Sequence, residues 1–223
     1  MKAMILAAGF GTRLLPLTKT IPKPLILFRN EPLIVHQIRA LKRAGVEEIV
    51  VNVHHLAEQI MSVLGSGNEY GVRIAYSEEQ EILDTGGGIK KALPLLGQSP
   101  FIVLNGDVWT DFAFAQICQR TTDYAHLILK QSDGSSMSRD FAFEGENIQR
   151  FTVTDSHTHT FCGISLIHPS VFSGIIRTKF SLTRDLLFDL VQQKKVTAEV
   201  FDGVWFDIGT KTSLHQLQKI LAT

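Results

Sequence analysis

The sequence predicts an α/β fold, with a doubly wound, mixed but mostly parallel sheet and a small additional β-hairpin or sheet region. In the first half of the chain, strand and helix patterns alternate, which is the rhythm of βαβ units. The strand patterns are short continuous apolar runs, typical of strands covered on both faces. In the second half, several short strands follow one another, which indicates a hairpin or small mixed sheet.

The elements of the first half follow from apolar spacing. Residues 1–6 form an apolar strand, and apolar residues recur at helical spacing over 33–41, before Gly45, which is placed to end that helix. The elements expected next are a strand at 48–53, a helix at 57–64, a strand at 72–76, a helix around 89–96 and a strand at 101–105.

The second half predicts shorter elements. A stretch rich in Ser, Gly and Asp at 132–140 has the composition of a loop. The other expected elements are strands at 141–144, 148–153, 160–167 and 197–201, and helices at 182–194 and 211–221.

A glycine-containing loop follows the first strand and presents a cation. It holds Gly9, Gly11 and Arg13, and a second cation, Lys23, lies between two prolines further along. Glycines let backbone N–H groups approach a polyphosphate closely, and the two cations neutralise it. The string is not a dinucleotide fingerprint, because Leu14 stands where a third glycine is needed, and its spacing is not that of a P-loop. The loop therefore indicates a polyphosphate site of another class.

Two aspartates stand in short polar strings. Asp107 follows the strand at 101–105 in the string Asn-Gly-Asp, and Asp207 lies in Trp-Phe-Asp-Ile-Gly-Thr at 205–210. Taken singly, the first is consistent with a helix cap and the second with a turn. An Asp at the end of a strand can also coordinate a hard cation through oxygen. These strings leave both interpretations open.

Three consecutive glycines open a predicted helix. Residues 78–88 read Glu-Glu-Gln-Glu-Ile-Leu-Asp-Thr-Gly-Gly-Gly, between the third strand and that helix. Glycines in this position indicate a close backbone approach, and the sequence leaves open whether the neighbour is a ligand or another strand.

Residues 9–25 resemble the signature of the sugar-phosphate nucleotidyltransferases. The family pattern is Gly-x-Gly-Thr-Arg-Leu-x-Pro-Leu-Thr followed by Pro-Lys-Pro-Leu, and this chain matches it nearly throughout. Asn30 stands where the family often has Gly, but Asn tolerates a left-handed backbone, so we expect the turn to be kept. The resemblance implies a Rossmann-like nucleotidyltransferase domain over 1–223, with a nucleotide-binding half at about 1–110 and a sugar-binding half at about 111–223.

The resemblance also implies the site residues. In the family, the loop wraps a nucleoside triphosphate, the Arg and Lys hold its phosphates, and two carboxylates jointly hold one Mg²⁺. Carried over by position, the catalytic residues are Arg13, Lys23 and Asp107, and the metal ligands are Asp107 and Asp207. The implied nucleotide-binding residues are Ala8, Gly9, Gly11, Thr12, Arg13, Lys23 and Glu79, with Glu79 and the backbone near Asp84 facing uracil. The residues implied to face the sugar are Thr85, Gly86, Asn105 and Gly163.

Within the family, the strings at 83–89, 105–111 and 205–210 are most similar to the branch that transfers a uridylyl group from UTP to N-acetylmuramate 1-phosphate in cell-wall recycling. The implied partners are therefore two small molecules, UTP and a sugar 1-phosphate. Two alternatives stay open. One is the same chemistry with another pair, such as glucose or mannose 1-phosphate, or phosphocholine with CTP. The other is a non-catalytic nucleotide-sensing module.

One departure from the family concerns the acceptor phosphate. Many relatives carry a Glu-Lys-Pro string near the middle of the chain, whose Lys contacts the sugar phosphate, and this chain has no such string. Arg150 and Lys130 are the candidate substitutes, and the sequence selects neither.

Composition excludes several partners. The chain carries 22 basic and 22 acidic residues, so no basic excess indicates nucleic acid. No stretch approaches the roughly 20 apolar residues of a membrane span, and the apolar run at the start is too short for a signal peptide. Cys118 and Cys162 stand in apolar surroundings and are expected to be buried thiols rather than a disulfide or a metal pair. We therefore expect a cytoplasmic enzyme without nucleic-acid or membrane partners, of unknown oligomeric state.

Overall fold

The computed structural model describes residues 1–132, 140–144, 147–150, 158–210, 212–213 and 215–216. The strands are β1 (Lys2–Leu6), β2 (Leu27–Phe28), β3 (Glu31–Pro32), β4 (Glu48–Val53), β5 (Arg73–Glu78), β6 (Phe101–Asn105), β7 (Val108–Thr110), β8 (Ala125–Gln131), β9 (Phe141–Glu144), β10 (Asn147–Arg150), β11 (Thr158–Ile167), β12 (Val196–Val200) and β13 (Trp205–Asp207). The helices are α1 (Leu33–Arg43), α2 (Ala57–Leu64), α3 (Asp84–Leu96), α4 (Phe114–Cys118) and α5 (Phe188–Gln192), with a π-helical turn at Thr183–Leu187 directly before α5.

Strands from both halves of the chain join one sheet, whose main order is β12-β8-β11-β6-β1-β4-β5. Strands β1, β4, β5 and β6 are parallel, and β12 is parallel to β8. Strand β11 runs antiparallel to β6 and β8. The hairpin of β9 and β10 is attached to β11, and two small sheets pair β7 with β13 and β2 with β3. The predicted mixed, mostly parallel fold with additional small sheets is confirmed.

Helices cover both faces of the sheet, as a doubly wound fold requires. Ile5 points to the face that packs against α1 and α2, through Ile38 among others. Its neighbour Met4 points to the opposite face and packs in the cluster of Ile89 on α3. Both β1 side chains are fully buried, and burying a side chain of this size contributes about 1.5–3 kcal/mol. The central strand is therefore packed on both faces of the sheet.

Several predicted elements agree with the structure. The bounds of β4, α2 and β6 coincide with the predicted ones. Helix α1 ends at Arg43, and Gly45 follows it with a φ of 88°, as its predicted role requires. Asn30 has a φ of 64° in the turn between β2 and β3, so the turn is kept without glycine.

Other elements differ from the prediction. Helix α3 begins at Asp84, earlier than the apolar spacing indicated, because the three glycines form its first turn. Strand β8 was not predicted, since a short buried apolar run has no periodicity that distinguishes it. Residues 133–139 of the predicted loop, the end of the predicted strand at 148–153 and most of the predicted helix at 211–221 lie outside the described residues.

The two cysteines are free thiols in the structure. Cys162 is buried and Cys118 is half-buried, and burial raises the pKa of Cys162 to about 12. Across the described residues, no helix has the length and apolar character needed to cross a membrane.

Candidate active site

Three parallel strands end together at one edge of the sheet. Strand β1 lies between β4 and β6, so Leu6 is opposite Asn52 on one side and Asn105 on the other. Ligands of such sheets bind outside the carboxyl ends of the strands. The segments that leave this edge are the glycine loop, defined as residues 7–13, and residues 105–107. The topology therefore places the two main sequence motifs side by side.

Hydrogen bonds of backbone N–H groups fix these segments. Ala7 N donates to Asn52 Oδ1 at 2.9 Å, and Gly106 N donates to Leu6 O at 2.9 Å. A Cβ on Gly106 would lie 2.4 Å from Leu6 O, so a side chain has no room there. Gly11 has a φ of 62°, a backbone conformation that favours glycine. The glycines thus let the two segments approach each other and turn the loop back over the strand end.

Lys23 lies beside both aspartates. Its Nζ lies 2.5 Å from Asp107 Oδ2 and 4.0 Å from Asp207 Oδ1, and its side chain is only 12% exposed. Arg13 Nη2 lies 3.7 Å from Asp207 Oδ2. Four charged residues from three distant parts of the chain therefore form one cluster.

The pairing of β7 with β13 brings the two aspartates together. Asp207 is opposite Val108, the residue that follows Asp107. In addition, Ile208 N donates to the carbonyl oxygen of Asp107 at 2.8 Å. The short two-stranded sheet thus holds a carboxylate from the end of the chain beside the one that follows β6.

The electrostatics of the aspartate pair fit a hard cation. Burial raises the pKa of Asp207, and the Asp107 carboxylate raises it further, while Lys23 and Arg13 lower it. Among the described residues, Asp207 Oδ1 is buried without a hydrogen-bond partner. Among the same described residues, no group of three or more His, Cys, Asp or Glu side chains could hold a metal ion. The pair therefore suits a cation that takes its remaining ligands from water or substrate oxygens.

A cavity of about 330 Å³ lies over the glycine loop. We call it the first cavity. All the residues predicted to bind the nucleotide line it: Ala8, Gly9, Gly11, Thr12, Arg13, Lys23 and Glu79. Asp84 and Thr85 line it as well, from the start of α3.

A second cavity of about 570 Å³ adjoins the first and shares Arg13, Asn105 and Asp107 with it. Asp207 and Gly163 also line it. Its other lining residues are Val108, Asp140, Arg150, Thr160, Phe161, Thr183, Arg184, Phe188 and Trp205. The charged cluster therefore lies at the junction of two cavities.

Gly163 makes room for Asn105 at this junction. It has a φ of 69° and lies where the register between β11 and β8 shifts. A Cβ at Gly163 would lie 2.6 Å from Asn105 Nδ2. The bulge therefore explains why two residues predicted to face the sugar come together.

Comparison with known proteins decides the family. Residues 2–136 match the family model described as nucleotidyl transferase. Over 226 aligned positions the chain is 40% identical to N-acetylmuramate alpha-1-phosphate uridylyltransferase from Neisseria meningitidis serogroup B, covering 99% of this chain and 98% of that protein. The chain belongs to the nucleotidyl transferase family. The expected resemblance to sugar-phosphate nucleotidyltransferases is thereby confirmed, and the protein is an enzyme of this class.

A further relative agrees with this assignment, and a solved structure shares the fold. The chain is 36% identical to mannose-1-phosphate guanyltransferase from Candida albicans, over 94% of this chain and 61% of that protein. Among solved structures, a Bacillus anthracis protein assigned as a glucose-1-phosphate thymidylyltransferase, in complex with a sucrose, superposes with a TM-score of 0.87. That protein is 24% identical to this chain. The alignment covers 99% of this chain and 94% of the Bacillus protein, and the likeness shows a shared fold.

In this nucleotidyltransferase, Glu79 is tied to its neighbours. It is 5% exposed; Oε1 accepts from Asn52 Nδ2 at 2.7 Å, and Oε2 accepts from Leu83 N at 3.0 Å. A Cβ on Gly88 would lie 2.6 Å from Oε1. The carboxylate thus fixes the segment at 79–83, which borders the first cavity.

Thr85 and Gly86 pack against the segment before the π-helical turn. Thr85 Oγ1 accepts from Leu182 N at 2.8 Å, and Gly86 N donates to Phe180 O at 2.9 Å. A Cβ on Gly86 would lie 2.3 Å from the Phe180 ring. The question left open by the glycine run is therefore answered for Gly86: its close neighbour is another part of the chain. Thr85 lines the first cavity, whereas Gly86 lines neither of the two.

The two candidate substitutes for the missing acceptor lysine lie in different places. Lys130 Nζ donates to Gly203 O at 2.8 Å, and it lines neither cavity. Arg150 lines the second cavity. The structure adds Arg184, which also lines the second cavity and which the sequence did not single out.

The sequence did not single out two buried amide side chains at the site, those of Asn52 and Gln37. Asn52 connects the glycine loop to Glu79 through the bonds given above. Gln37 on α1 is 5% exposed, and its Nε2 donates to Asn105 O at 2.8 Å and Val108 O at 2.7 Å. A single side chain thus spans the back of the loop that carries Asp107. The polar residue within the apolar run of β4 was a usable signal for Asn52, whereas nothing local distinguishes Gln37 from a surface residue of an amphipathic helix.

Proposed function

We propose that the protein transfers a uridylyl group from UTP to N-acetylmuramate 1-phosphate, producing UDP-N-acetylmuramate and pyrophosphate in the cytoplasm as a step of peptidoglycan recycling. The observation that carries this proposal is the pair of adjoining cavities that meet at Arg13, Asn105 and Asp107. Two substrates can meet at that junction. The choice of base and sugar is supported by the 40% identity to the Neisseria enzyme over nearly its full length.

The two cavities suggest an arrangement for an in-line transfer. The triphosphate lies in the first cavity, over the glycine loop, and the sugar phosphate lies in the second. Gly163 and Asn105 face the sugar. Thr85 and Gly86 were expected to face it too, but Thr85 lines the first cavity and Gly86 lines neither, so we propose that Thr85 borders the triphosphate instead. The first cavity is lined almost wholly by residues before 110, which supports placing the nucleotide-binding half at about 1–110 and the sugar-binding half at about 111–223.

The residues at the junction offset charge repulsion. The acceptor phosphate is an anion that must attack the α-phosphorus of another polyanion. Arg13 and Lys23 neutralise this charge and stabilise the charge that builds on the pyrophosphate leaving group. The attacking oxygen is already ionised, so no general base is required, and alignment with electrostatic stabilisation accounts for catalysis.

Asp107 and Asp207 are the residues that would hold Mg²⁺. The unsatisfied Oδ1 of Asp207 and the proximity of the two carboxylates fit a hard cation with oxygen ligands. When bound, the ion supplies Lewis-acid stabilisation of phosphate oxygens. Lys23, 2.5 Å from Asp107, is close enough to contact a phosphate held beside the same carboxylate.

Glu79 and the backbone near Asp84 are proposed to border the base. Because both oxygens of Glu79 accept hydrogen bonds from the protein, its contribution is to hold the segment at 79–83 in place. Backbone groups of that segment are then the ones available to uracil.

A screen of pyrophosphate release tests the proposal. Purified protein with Mg²⁺ is assayed with UTP, dTTP, CTP and GTP, each against N-acetylmuramate, N-acetylglucosamine, glucose and mannose 1-phosphates. The expected result is a maximum for UTP with N-acetylmuramate 1-phosphate. A maximum for GTP with mannose 1-phosphate would instead support the activity named for the Candida relative, which is 36% identical. Release with no pair would favour the sensing module, although a sensor has no need of two carboxylates in contact with Lys23.

A further inference from the structure

We propose that Arg150 and Arg184 form a carboxylate-binding site in the second cavity, and that this site selects an acceptor sugar bearing an acidic substituent. The inference rests on the proposed function. N-acetylmuramate differs from N-acetylglucosamine by a lactyl ether, which adds one carboxylate to the sugar ring. An acceptor of this kind therefore presents two anionic groups, a phosphate and a carboxylate.

Two separate groups of cations lie around the junction of the cavities: Lys23 lines the first cavity, Arg13 lines both, and Arg150 and Arg184 line the second. Arg13 and Lys23 form the first group, bound to Asp207 and Asp107 at the junction. Arg184 is not paired with either of these aspartates: it lines the second cavity, and its Nη2 lies 3.4 Å from Oδ2 of Asp84, which borders the first cavity. Arg13 and Lys23 are positioned for phosphates, and Arg150 and Arg184 remain for another anion.

Arg184 is suited to a second anion. Its side chain is 74% exposed, so the ion pair with Asp84 is weak and leaves most of the guanidinium donors accessible. It lies on the π-helical turn at Thr183–Leu187, a distortion that is frequent at functional sites. Thr183 and Arg184 both line the cavity from this turn.

Arg150 is held in place by stacking. Its guanidinium carbon lies 4.6 Å from the centroid of the Phe188 ring, which also lines the cavity. Phe188 in turn packs edge-on against the buried Phe141, with centroids 5.4 Å apart. Stacking uses the face of a guanidinium and leaves its in-plane N–H donors for a carboxylate. The Phe188 ring therefore gives the Arg150 guanidinium a packing partner at the wall of the second cavity.

Each acidic residue that lines the second cavity has a partner other than Arg150 and Arg184. Asp107 and Asp207 face Lys23 and Arg13. Asp140 Oδ2 accepts a hydrogen bond from Phe161 N at 2.9 Å. A carboxylate brought by the acceptor would thus add charge opposite Arg150 and Arg184, where a neutral acceptor ring would add none.

A comparison of two acceptors tests the inference. kcat/KM is measured with UTP and either N-acetylmuramate 1-phosphate or N-acetylglucosamine 1-phosphate, for the wild type, Arg150→Met and Arg184→Met. Each substitution should lower kcat/KM about 10- to 100-fold for the acidic acceptor, the range of a charge-assisted hydrogen bond, and should leave the other acceptor nearly unchanged. Arg177→Met is the matched control, because Arg177 is an exposed arginine that pairs with Asp185 and lines neither cavity.

The outcomes separate the inference from the proposed function. Equal losses with both acceptors, at an unchanged thermal midpoint, would place the arginines on the phosphate and overturn the carboxylate site. No loss with either acceptor would also overturn it, and in both cases uridylyl transfer by the wild type would still stand. A wild type inactive with N-acetylmuramate 1-phosphate would overturn the proposed function together with this inference.

Discussion

Gly209 lies directly against the guanidinium of Arg13. A Cβ on Gly209 would be 2.7 Å from Arg13 Nη1 and 2.8 Å from its Cζ. The string at 205–210 therefore does more than supply Asp207: the glycine two residues later makes room for the cation of the glycine loop. This contact explains why two motifs nearly two hundred residues apart belong to one site.

Gly209→Ala should displace Arg13 without unfolding the protein. Because the guanidinium is the flexible end of an exposed side chain, the chain can avoid the clash by moving Arg13. We expect kcat/KM for pyrophosphate release to fall about 10- to 100-fold, as for a misplaced phosphate-binding group. The check is a double-mutant cycle: in an Arg13→Ala background, Gly209→Ala should cost little more. Additive losses would show that Gly209 acts elsewhere.

Asp107→Asn and Asp207→Asn should each lower kcat about 100-fold or more, by the loss of a group that stabilises the transition state. The half-saturating Mg²⁺ concentration should rise in both variants, since each removes a charged oxygen ligand. The fold should survive, and Asp207→Asn should not lower the thermal midpoint, because burial and Asp107 both disfavour the charged form of Asp207. An unchanged Mg²⁺ dependence would contradict the metal assignment.

Gln37→Leu should impair catalysis through Asp107. The substitution removes both hydrogen bonds to the loop at 105–108 and leaves two carbonyl oxygens without this donor. We expect a loss of about 1–3 kcal/mol of stability, a lower kcat and a higher half-saturating Mg²⁺ concentration, with KM for UTP nearly unchanged. Ser165→Ala is the control, because Ser165 is also buried and its Oγ has no hydrogen-bond partner among the described residues. A Gln37 variant that lost stability alone would refute the positioning role.

The free energy of unfolding should fall in mild acid because of His126. Burial lowers the pKa of His126 below its ordinary value of 6.5, and Arg120 lowers it further, against an opposing effect of Glu199. The unfolded chain therefore takes up the proton first as pH falls below 6.5, and the loss of stability is complete below the folded-state pKa. Urea unfolding between about pH 7.5 and pH 5 measures this dependence, and His126→Gln should reduce it. An equal pH dependence in both proteins would rule out His126 as its source.

Local motifs account for the part of the site that the sequence could predict. The glycine loop and Lys23 indicate a polyphosphate site by their residue types, whereas Asp107 and Asp207 stand in contiguous strings that only the family resemblance assigns to a metal. The strand pattern then indicates which ends meet, because the carboxyl ends of parallel strands share one edge. The bounds of β4 and β6 were accordingly predicted to the residue.

The remaining contacts depend on side chains far apart in the chain. Gln37 reaches Val108 across 71 positions, and Arg184 reaches Asp84 across 100. No periodicity encodes such pairs, and the π-helical turn that presents Arg184 falls within what the sequence predicts as an ordinary helix. The contacts of Gln37 and Arg184 could therefore not be predicted from the sequence and follow only from the folded structure.

The position of bond cleavage in UTP tests the central claim most directly. The protein is incubated with Mg²⁺, N-acetylmuramate 1-phosphate and UTP radiolabelled at either the α- or the γ-phosphorus, and the products are separated. Attack at the α-phosphorus predicts that the α-label appears in UDP-N-acetylmuramate and the γ-label in pyrophosphate. Transfer of the γ-label to the sugar, or release of both labels without a nucleotide sugar, would contradict uridylyl transfer at the junction of the two cavities.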